Sequence, residues 1–208
     1  MKKTILMLLF MLPVPVFAGY TYTITEGMEF TDLTLTANQS LLMTGGTGGN
    51  VTLEGTSLME LYGGEVVNIT LQRTTAALDV WGGKISGRIF TDNDNKVNIA
   101  GGDVKLVYLN GSALAKLSGG NIESINVGLN ISSTLPPSYI IKCDLNSLNL
   151  TYTNGVLSGI AGNWLDGSGF NIGVESRLGN PVSDYIQFVP EPTSMLLLSL
   201  GGLLIRRK

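Results

Sequence analysis

Five pairs of adjacent glycines recur through the middle of the sequence at an almost constant spacing. They are Gly45-Gly46, Gly63-Gly64, Gly82-Gly83, Gly101-Gly102 and Gly119-Gly120. Successive pairs lie 18, 19, 19 and 18 residues apart. A fixed period of this length indicates a repeat architecture, in which each unit buries its apolar side chains only by stacking on its neighbours.

Apolar residues keep a fixed register on both sides of each pair. Two and four positions before it stand Leu41 and Met43, Met59 and Leu61, Leu78 and Val80, Val97 and Ile99, Ala115 and Leu117. After it come Val66, Ile69 and Leu71, then Val104, Val107 and Leu109, then Ile122, Ile125 and Val127. The first copy offers Val51 and Leu53, and Gly48 interrupts it. Alternation predicts short strands, and glycine predicts sharp corners between them.

The fold class that this pattern predicts is all-β. We expect a single-stranded β-solenoid of 18–19-residue turns, of the right-handed parallel β-helix type. The copy around Gly82-Gly83 departs from the register, because Arg88 stands where an inward apolar residue is expected. Gly87 predicts a bulge that moves Ile89 into that place. A β-sandwich with glycine-rich turns is the alternative architecture, and five copies in one register favour the solenoid.

The segments that flank the repeats carry weaker patterns. Residues 20–35 alternate without a glycine pair, which is typical of an opening turn or cap. Leu135-Pro136-Pro137 ends the regular part, since proline removes backbone donors from a sheet. Asn154-Gly155 predicts a hairpin turn in a β-rich cap. We expect Trp164 and Phe170 to cover the end of the solenoid there, and Gly173 to Phe188 to form a tether.

The predicted domain organisation has four parts. Residues 1–18 are a signal peptide, 19–130 the β-solenoid, 131–188 a C-terminal β cap and tether, and 189–208 a sorting signal. Short helical segments are expected at both termini, one of them the hydrophobic segment of the sorting signal.

Composition and charge exclude several classes of function. Between Gly19 and Val189 there are 8 basic and 15 acidic residues, a net charge of −7. An acidic body argues against nucleic acid or anionic lipid as a partner. The sequence has no histidine, the commonest general base and metal ligand. Cys143, the single cysteine, cannot form an internal disulfide and is expected to be a small buried hydrophobe.

The first residues have the three parts of a secretory signal peptide. Lys2 and Lys3 precede an apolar run from Ile5 to Leu12, and small residues follow around Ala18. That run is far shorter than the roughly 20 residues that a membrane-spanning helix needs. We therefore predict export, with signal peptidase cutting between Ala18 and Gly19.

The last residues form a second targeting pattern. Pro190, Glu191 and Pro192 are followed by the apolar segment Met195 to Ile205 and by a basic tail of Arg206, Arg207 and Lys208. As a helix the apolar segment would span roughly 16 Å, against a hydrocarbon core of about 30 Å. It can stall in a membrane but makes a poor permanent anchor, and the basic tail favours the cytoplasmic side.

This order of features resembles the PEP-CTERM sorting signal of Gram-negative bacteria, over about 20 residues. The resemblance implies that an exosortase recognises Pro190, Glu191 and Pro192, cuts nearby and passes the protein to the envelope or extracellular matrix. Arg206 to Lys208 would orient the segment while it is transiently inserted in the membrane. The glycine-pair units are also similar, more weakly, to the repeats of autotransporter adhesin passengers.

Candidates for chemistry in the body are few. Asp92-Asn93-Asp94-Asn95 has oxygen ligands that suit calcium, although such runs also form turns. Glu60 and Asp79 fall at equivalent outward positions, so the solenoid predicts that they stack as neighbouring carboxylates. An outward series of Thr52, Thr70, Tyr108 and Asn126 begins as the threonine array that ice binding would need and then loses its threonines.

Together these features predict an exported, non-enzymatic protein of the cell envelope or extracellular matrix, with a structural or adhesive role. We expect no catalytic, metal or cofactor site. The partners expected are signal peptidase and exosortase during export, with extracellular polysaccharide as a candidate ligand. The alternative function is a carbohydrate-active enzyme or lectin that uses one face of the solenoid.

Overall fold

A computed structural model describes residues 19–73, 75–128, 138–176 and 182–190. Within these ranges the regular elements are strands and one 3-10 turn at Val182–Tyr185. The strands are β1 (Tyr22–Ile24), β2 (Glu29–Leu35), β3 (Ser40–Glu54), β4 (Leu58–Gln72), β5 (Ala77–Val80), β6 (Lys84–Thr91), β7 (Lys96–Leu109), β8 (Leu114–Val127), β9 (Ser138–Lys142), β10 (Asn149–Thr153), β11 (Val156–Asn163), β12 (Gly169–Ser176) and β13 (Ile186–Val189).

The strands stack in parallel as the coils of a β-solenoid, about 18 residues to the turn and about six turns long. Coil 1 is β1 and β2, coil 2 is β3, coil 3 is β4, coil 4 is β5 and β6, coil 5 is β7, and coil 6 is β8. The predicted all-β solenoid is confirmed. Its right hand stays a prediction, and the predicted terminal helices lie outside the described residues.

Both glycines of each pair are required at the corner of a coil. The second has a positive φ, from 76° at Gly46 to 86° at Gly64. The first has no room for a side chain, because a methyl group at Gly101 would lie 2.2 Å from the carbonyl oxygen of Trp81 in the coil before. A left-handed backbone and a close approach of neighbouring coils each favour glycine, so the pair recurs.

The core is a set of apolar columns that run the length of the solenoid. Coils 3, 5 and 6 turn inward two and four residues before their glycine pair, and two, five and seven residues after it. Two consecutive outward residues, such as Val67 and Asn68 of β4, therefore interrupt the alternation of a straight strand. This bend divides a coil into a first wall before the corner, a short second wall after it, and a third wall after the bend.

Two irregular coils keep the core filled. In coil 2, Gly48 leaves the space that the ring of Phe30 from coil 1 occupies, since a methyl group there would lie 2.1 Å from that ring. In coil 4 the register with β4 shifts between Ile85 and Ile89, so that Ile89 is buried and Arg88 faces outward. The predicted bulge at Gly87 is confirmed.

The first and third walls both continue beyond coil 6. β9 adds to β8 on the first wall, and β12 adds to β8 on the third wall. Between them the chain forms the antiparallel hairpin of β10 and β11, and β11 also pairs with β12. Asn154 and Gly155 have φ values of 54° and 79°, which confirms the predicted hairpin turn.

The predicted tether from Gly173 to Phe188 is wrong. β12 runs to Ser176 inside the sheet, and β13 pairs in parallel with β9. Ile186 and Phe188 pack partly on the core on either side of the exposed Gln187, so this short segment has the alternation of one more strand.

Large side chains close the C-terminal end of the core. Trp164 is 1% exposed, packs on Phe170 with ring centroids 4.3 Å apart, and donates from Nε1 to the carbonyl oxygen of Gly120 at 2.9 Å. This confirms that Trp164 and Phe170 cover the end. Tyr139 lies inside, with its hydroxyl 2.8 Å from the carbonyl oxygen of Val107. Cys143 is buried, as predicted, and burial raises the pKa of its thiol.

Candidate binding surface

The outward column on the first wall holds the carboxylates that the sequence singled out. The register places these side chains above one another in the order Leu42, Glu60, Asp79, Asn98 and Lys116. The predicted stacking of Glu60 on Asp79 in consecutive coils is confirmed. A parallel sheet spaces such neighbours by about 4.8 Å along the axis of the solenoid.

Neutral donors hold both carboxylates in place. The hydroxyl of Tyr20 donates to Oε2 of Glu60, and Nδ2 of Asn98 donates to Oδ1 of Asp79. The hydrogen bond to Glu60 raises the pKa of Tyr20 to about 12, because it stabilises the neutral phenol. Tyr20 belongs to coil 1 and Glu60 to coil 3, so the phenol passes the level of Leu42, an outward side chain that is only 4% exposed.

Two aromatic side chains stand beside these carboxylates, and sequence reasoning missed them. Tyr62 is 51% exposed and Trp81 is 52% exposed, and their nearly parallel rings have centroids 6.2 Å apart. Each ring follows a carboxylate by two residues and directly precedes a glycine pair. Because side chains two apart on a strand share a face, this spacing was the signal that could have placed them.

The third wall carries mixed columns. Thr34, Thr52 and Thr70 follow one another, and then Phe90 and Tyr108 take the same column with ring centroids 5.3 Å apart. The threonine array therefore ends at coil 3, and aromatic rings replace the threonines in coils 4 and 5. A flat lattice of hydroxyl groups is confined to three coils.

A polar ladder lies beside the threonine column. Asn68 donates to Asn50 at 2.9 Å, and Asn50 donates to Asp32 at 2.7 Å. Such side-chain ladders satisfy polar groups between stacked coils, so these amides serve the stacking of the coils.

The Asx-rich turn at 92–95 uses its oxygens within the fold. Asp92 Oδ1 accepts from the backbone N–H of Asn93, Asp94 accepts from the hydroxyl of Ser112, and Asn95 Oδ1 accepts from the backbone N–H of Ala76. Across the residues that the structure describes, no group of three or more carboxylates or thiols is placed to hold a metal ion. The geometry therefore favours the turn over calcium binding at this place.

A groove runs along the second wall towards the hairpin. One part has a volume of about 300 Å³ and is lined by Lys84, Ser86, Asp103 and Lys105 among others. A part of about 650 Å³ shares Asn121 and Glu123 with it and reaches β11 and β12. Lys84 is paired across the coils with Glu65 at 3.1 Å, and this pairing lowers the pKa of the Glu65 carboxyl.

The residues assigned to targeting lie at the ends of the described chain or beyond them. Gly19 is its first residue and is exposed, while Ala18 lies outside it. Pro190 directly follows β13, and Glu191, Pro192, Arg206, Arg207 and Lys208 lie outside the described residues. Within the described ranges, no helix has the length and apolar character to cross a bilayer. The sorting roles of these residues stay predictions.

Comparison with protein-family models, with curated proteins and with solved structures finds nothing that matches the chain. The functional assignment therefore depends on the residues and on their geometry.

Proposed function

We propose that this chain is an exported, non-enzymatic protein of the bacterial cell envelope or extracellular matrix, with a structural or adhesive role. The observation that carries the proposal is the unbroken stack of coils. Its outward side chains form columns along the axis, which suit contact with an extended partner more than enclosure of a small substrate. The acidic body makes nucleic acid and anionic membranes unfavourable partners.

Delivery is proposed to use both ends of the chain. Signal peptidase would release Gly19, and an exosortase would recognise Pro190, Glu191 and Pro192 while the tail is transiently inserted in the membrane. Support comes from the order of these features in the sequence, and from β13, which ends at Val189, directly before Pro190.

Mass spectrometry of the protein from its native extracellular fraction tests this delivery. We expect a mature N-terminus at Gly19 and no peptide beyond Thr193. Replacing Glu191 with alanine should leave the N-terminus unchanged and retain the tail in the membrane fraction. Intact tail peptides in purified extracellular matrix would contradict processing by an exosortase.

The second candidate is a carbohydrate-active enzyme, and the stacking of Glu60 on Asp79 favours it. Hydrolysis of a glycoside needs one carboxyl group protonated and the other ionised, flanking the bond that breaks. Here both carboxylates lie on one side, in a single outward column, whereas such an enzyme places its two carboxyl groups on either side of the bond. Release of reducing ends from a polysaccharide, lost in the Glu60→Ala/Asp79→Ala variant, would replace the non-enzymatic proposal.

A further inference from the structure

Exposed rings and carboxylates line the first wall of the solenoid side by side. We name this surface the aromatic–acidic strip; it consists of Tyr20, Glu60, Tyr62, Asp79, Trp81 and Asn98. We propose that it binds an uncharged polysaccharide laid along the axis of the solenoid. This inference deepens the proposed adhesive role and names the partner of that surface.

The two rings supply the apolar part of the site. Tyr62 and Trp81 are each about half exposed, although aromatic rings of this size usually gain stability by burial. Two exposed rings in contact form a larger apolar surface than the single exposed side chains that are normal on a protein. The hydrophobic C–H face of a sugar ring packs on an aromatic face, and two rings on consecutive coils offer room for neighbouring sugars of one chain.

The carboxylates supply the polar part. Glu60 and Asp79 stand two residues before the rings, and two residues of extended chain cover about 6.6 Å. An ionised carboxylate has about four acceptor positions. Tyr20 and Asn98 each occupy one, which fixes the side chains and leaves acceptor capacity for sugar hydroxyl groups. Apolar faces beside fixed acceptors match the two kinds of surface that a sugar presents.

The length of the strip indicates a polymer. Its residues extend from coil 1, where Tyr20 precedes β1, to coil 5, where Asn98 lies in β7. Four steps of about 4.8 Å give about 19 Å along the axis. A single sugar would leave most of that length uncovered, whereas an extended chain would contact the whole strip.

The charge of the strip selects among polysaccharides. Glu60 and Asp79 bring two negative charges, and the body around them has a net charge of −7. A chain of uronic acids or a sulfated chain would be repelled, most strongly at low ionic strength. The proposed ligand is therefore neutral and rich in hydroxyl groups.

Affinity electrophoresis of the exported protein tests the proposal. Native gels would contain one of two neutral polysaccharides, hydroxyethylcellulose or dextran, or the anionic polysaccharide alginate. We expect at least one neutral gel, and not the alginate gel, to slow the wild type. Trp81→Ala should weaken that retardation about tenfold or more, since aromatic anchors carry a large share of binding energy.

Matched variants locate the site. Tyr152→Ala removes another ring, 55% exposed on the hairpin, and should leave the retardation unchanged. Glu60→Gln/Asp79→Asn keeps the shape of the strip. It should weaken binding several-fold, because an amide offers fewer acceptor positions to sugar hydroxyl groups than a carboxylate does. Lys105→Ala changes the groove on the second wall and should have no effect. Circular dichroism of each variant checks that the fold is retained.

Fluorescence offers an independent measurement, because the sequence has only two tryptophans. Trp81 is exposed and Trp164 is 1% exposed, so iodide should quench mainly Trp81. Bound polysaccharide should protect Trp81 from iodide and leave Trp164 unaffected.

Several results would overturn the proposal. The first is that neither neutral polysaccharide slows the wild-type protein. The second is that the folded Trp81→Ala variant is slowed as much as the wild type. The third is that Lys105→Ala loses binding while Trp81→Ala keeps it. None of these results would contradict the proposed delivery, which is tested separately by the masses of the mature termini.

Discussion

The two ends of the solenoid leave the core in different states. At the C-terminal end, Trp164 and the hairpin of β10 and β11 cover the columns. At the N-terminal end, Ile24, Phe30 and Leu33 are only partly buried, although every side chain above them in the same columns is buried. A repeat presents the same open edge at each end, so it takes non-repetitive chain to close one of them.

The C-terminal end is closed by a segment that lies in the sequence between β9 and β12, the two strands that follow coil 6 along the axis. β9 and β12 continue the first and third walls, and the hairpin lies between them in sequence. The N-terminal end is held from outside instead, by the bond from Tyr20 to Glu60 two coils away. The comparison predicts that substitutions at the closed end cost more stability than matched substitutions at the open end.

The largest effect is expected for Trp164→Ala. It removes a fully buried ring and the donor to the carbonyl oxygen of Gly120, so the free energy of unfolding should fall by about 3–5 kcal/mol. Urea denaturation followed by circular dichroism measures this loss. Trp81→Ala, the matched control on the surface, should change it by less than about 0.5 kcal/mol. Equal losses in both variants would mean that Trp164 does not close the core.

Substitutions of the corner glycines should also cost more where neighbouring coils stack. Gly27 in coil 1 and Gly64 in coil 3 have φ values of 80° and 86°, so alanine costs about 1–2 kcal/mol at either place. A methyl group at Gly64 would lie 2.6 Å from the carbonyl oxygens of Gly45 and Gly46 in coil 2, whereas one at Gly27 would meet no described atom within 4 Å. Gly64→Ala should therefore cost about 1–3 kcal/mol more than Gly27→Ala. Equal melting temperatures for the two variants would contradict the close stacking of corners.

Much of this architecture was predictable because it depends on local backbone chemistry repeated at a fixed period. The glycine pairs indicated the corners, and Arg88 in an inward place indicated the bulge at Gly87. The stacking of Glu60 on Asp79 followed from the register alone. In each case the inference came from comparing one coil with the register that its neighbours repeat.

What escaped prediction depends on contacts between parts of the chain that share no repeat. The ring of Phe30 fills the space at Gly48, and the indole of Trp164 meets the carbonyl oxygen of Gly120, 44 residues away. β13 is four residues long, and only its pairing with β9 separates it from a linker. The exposure of Tyr62 and Trp81 needed the three-dimensional positions of both corners.

A smaller effect is expected for Leu33→Ala at the open end. Leu33 shares its column with Ile69 but is only partly buried, so the substitution should cost about 1 kcal/mol. Leu71→Ala, the same change in the closed core of coil 3, should cost about 2–5 kcal/mol. Denaturation of both variants under one condition gives the difference. A similar loss at both positions would show that a partner or another segment covers the first coil.

The smallest effect concerns the bond that holds the open end. The pKa of Tyr20 is raised to about 12 from an ordinary value near 10, because the neutral phenol donates to Glu60. Because the pKa is raised in the folded state, the hydrogen bond contributes its full stabilisation below pH 10. This contribution to the free energy of unfolding is lost as the pH rises through 12. The small stability difference between wild type and Tyr20→Phe should therefore be present at pH 8 and vanish near pH 12. Absorbance of the phenolate measures the pKa of Tyr20 directly. In Glu60→Gln the ionisation of Tyr20, seen near pH 12 in the wild type, should move back towards pH 10. If Tyr20→Phe instead removes a step near pH 10, the phenol does not hold the first coil to the third.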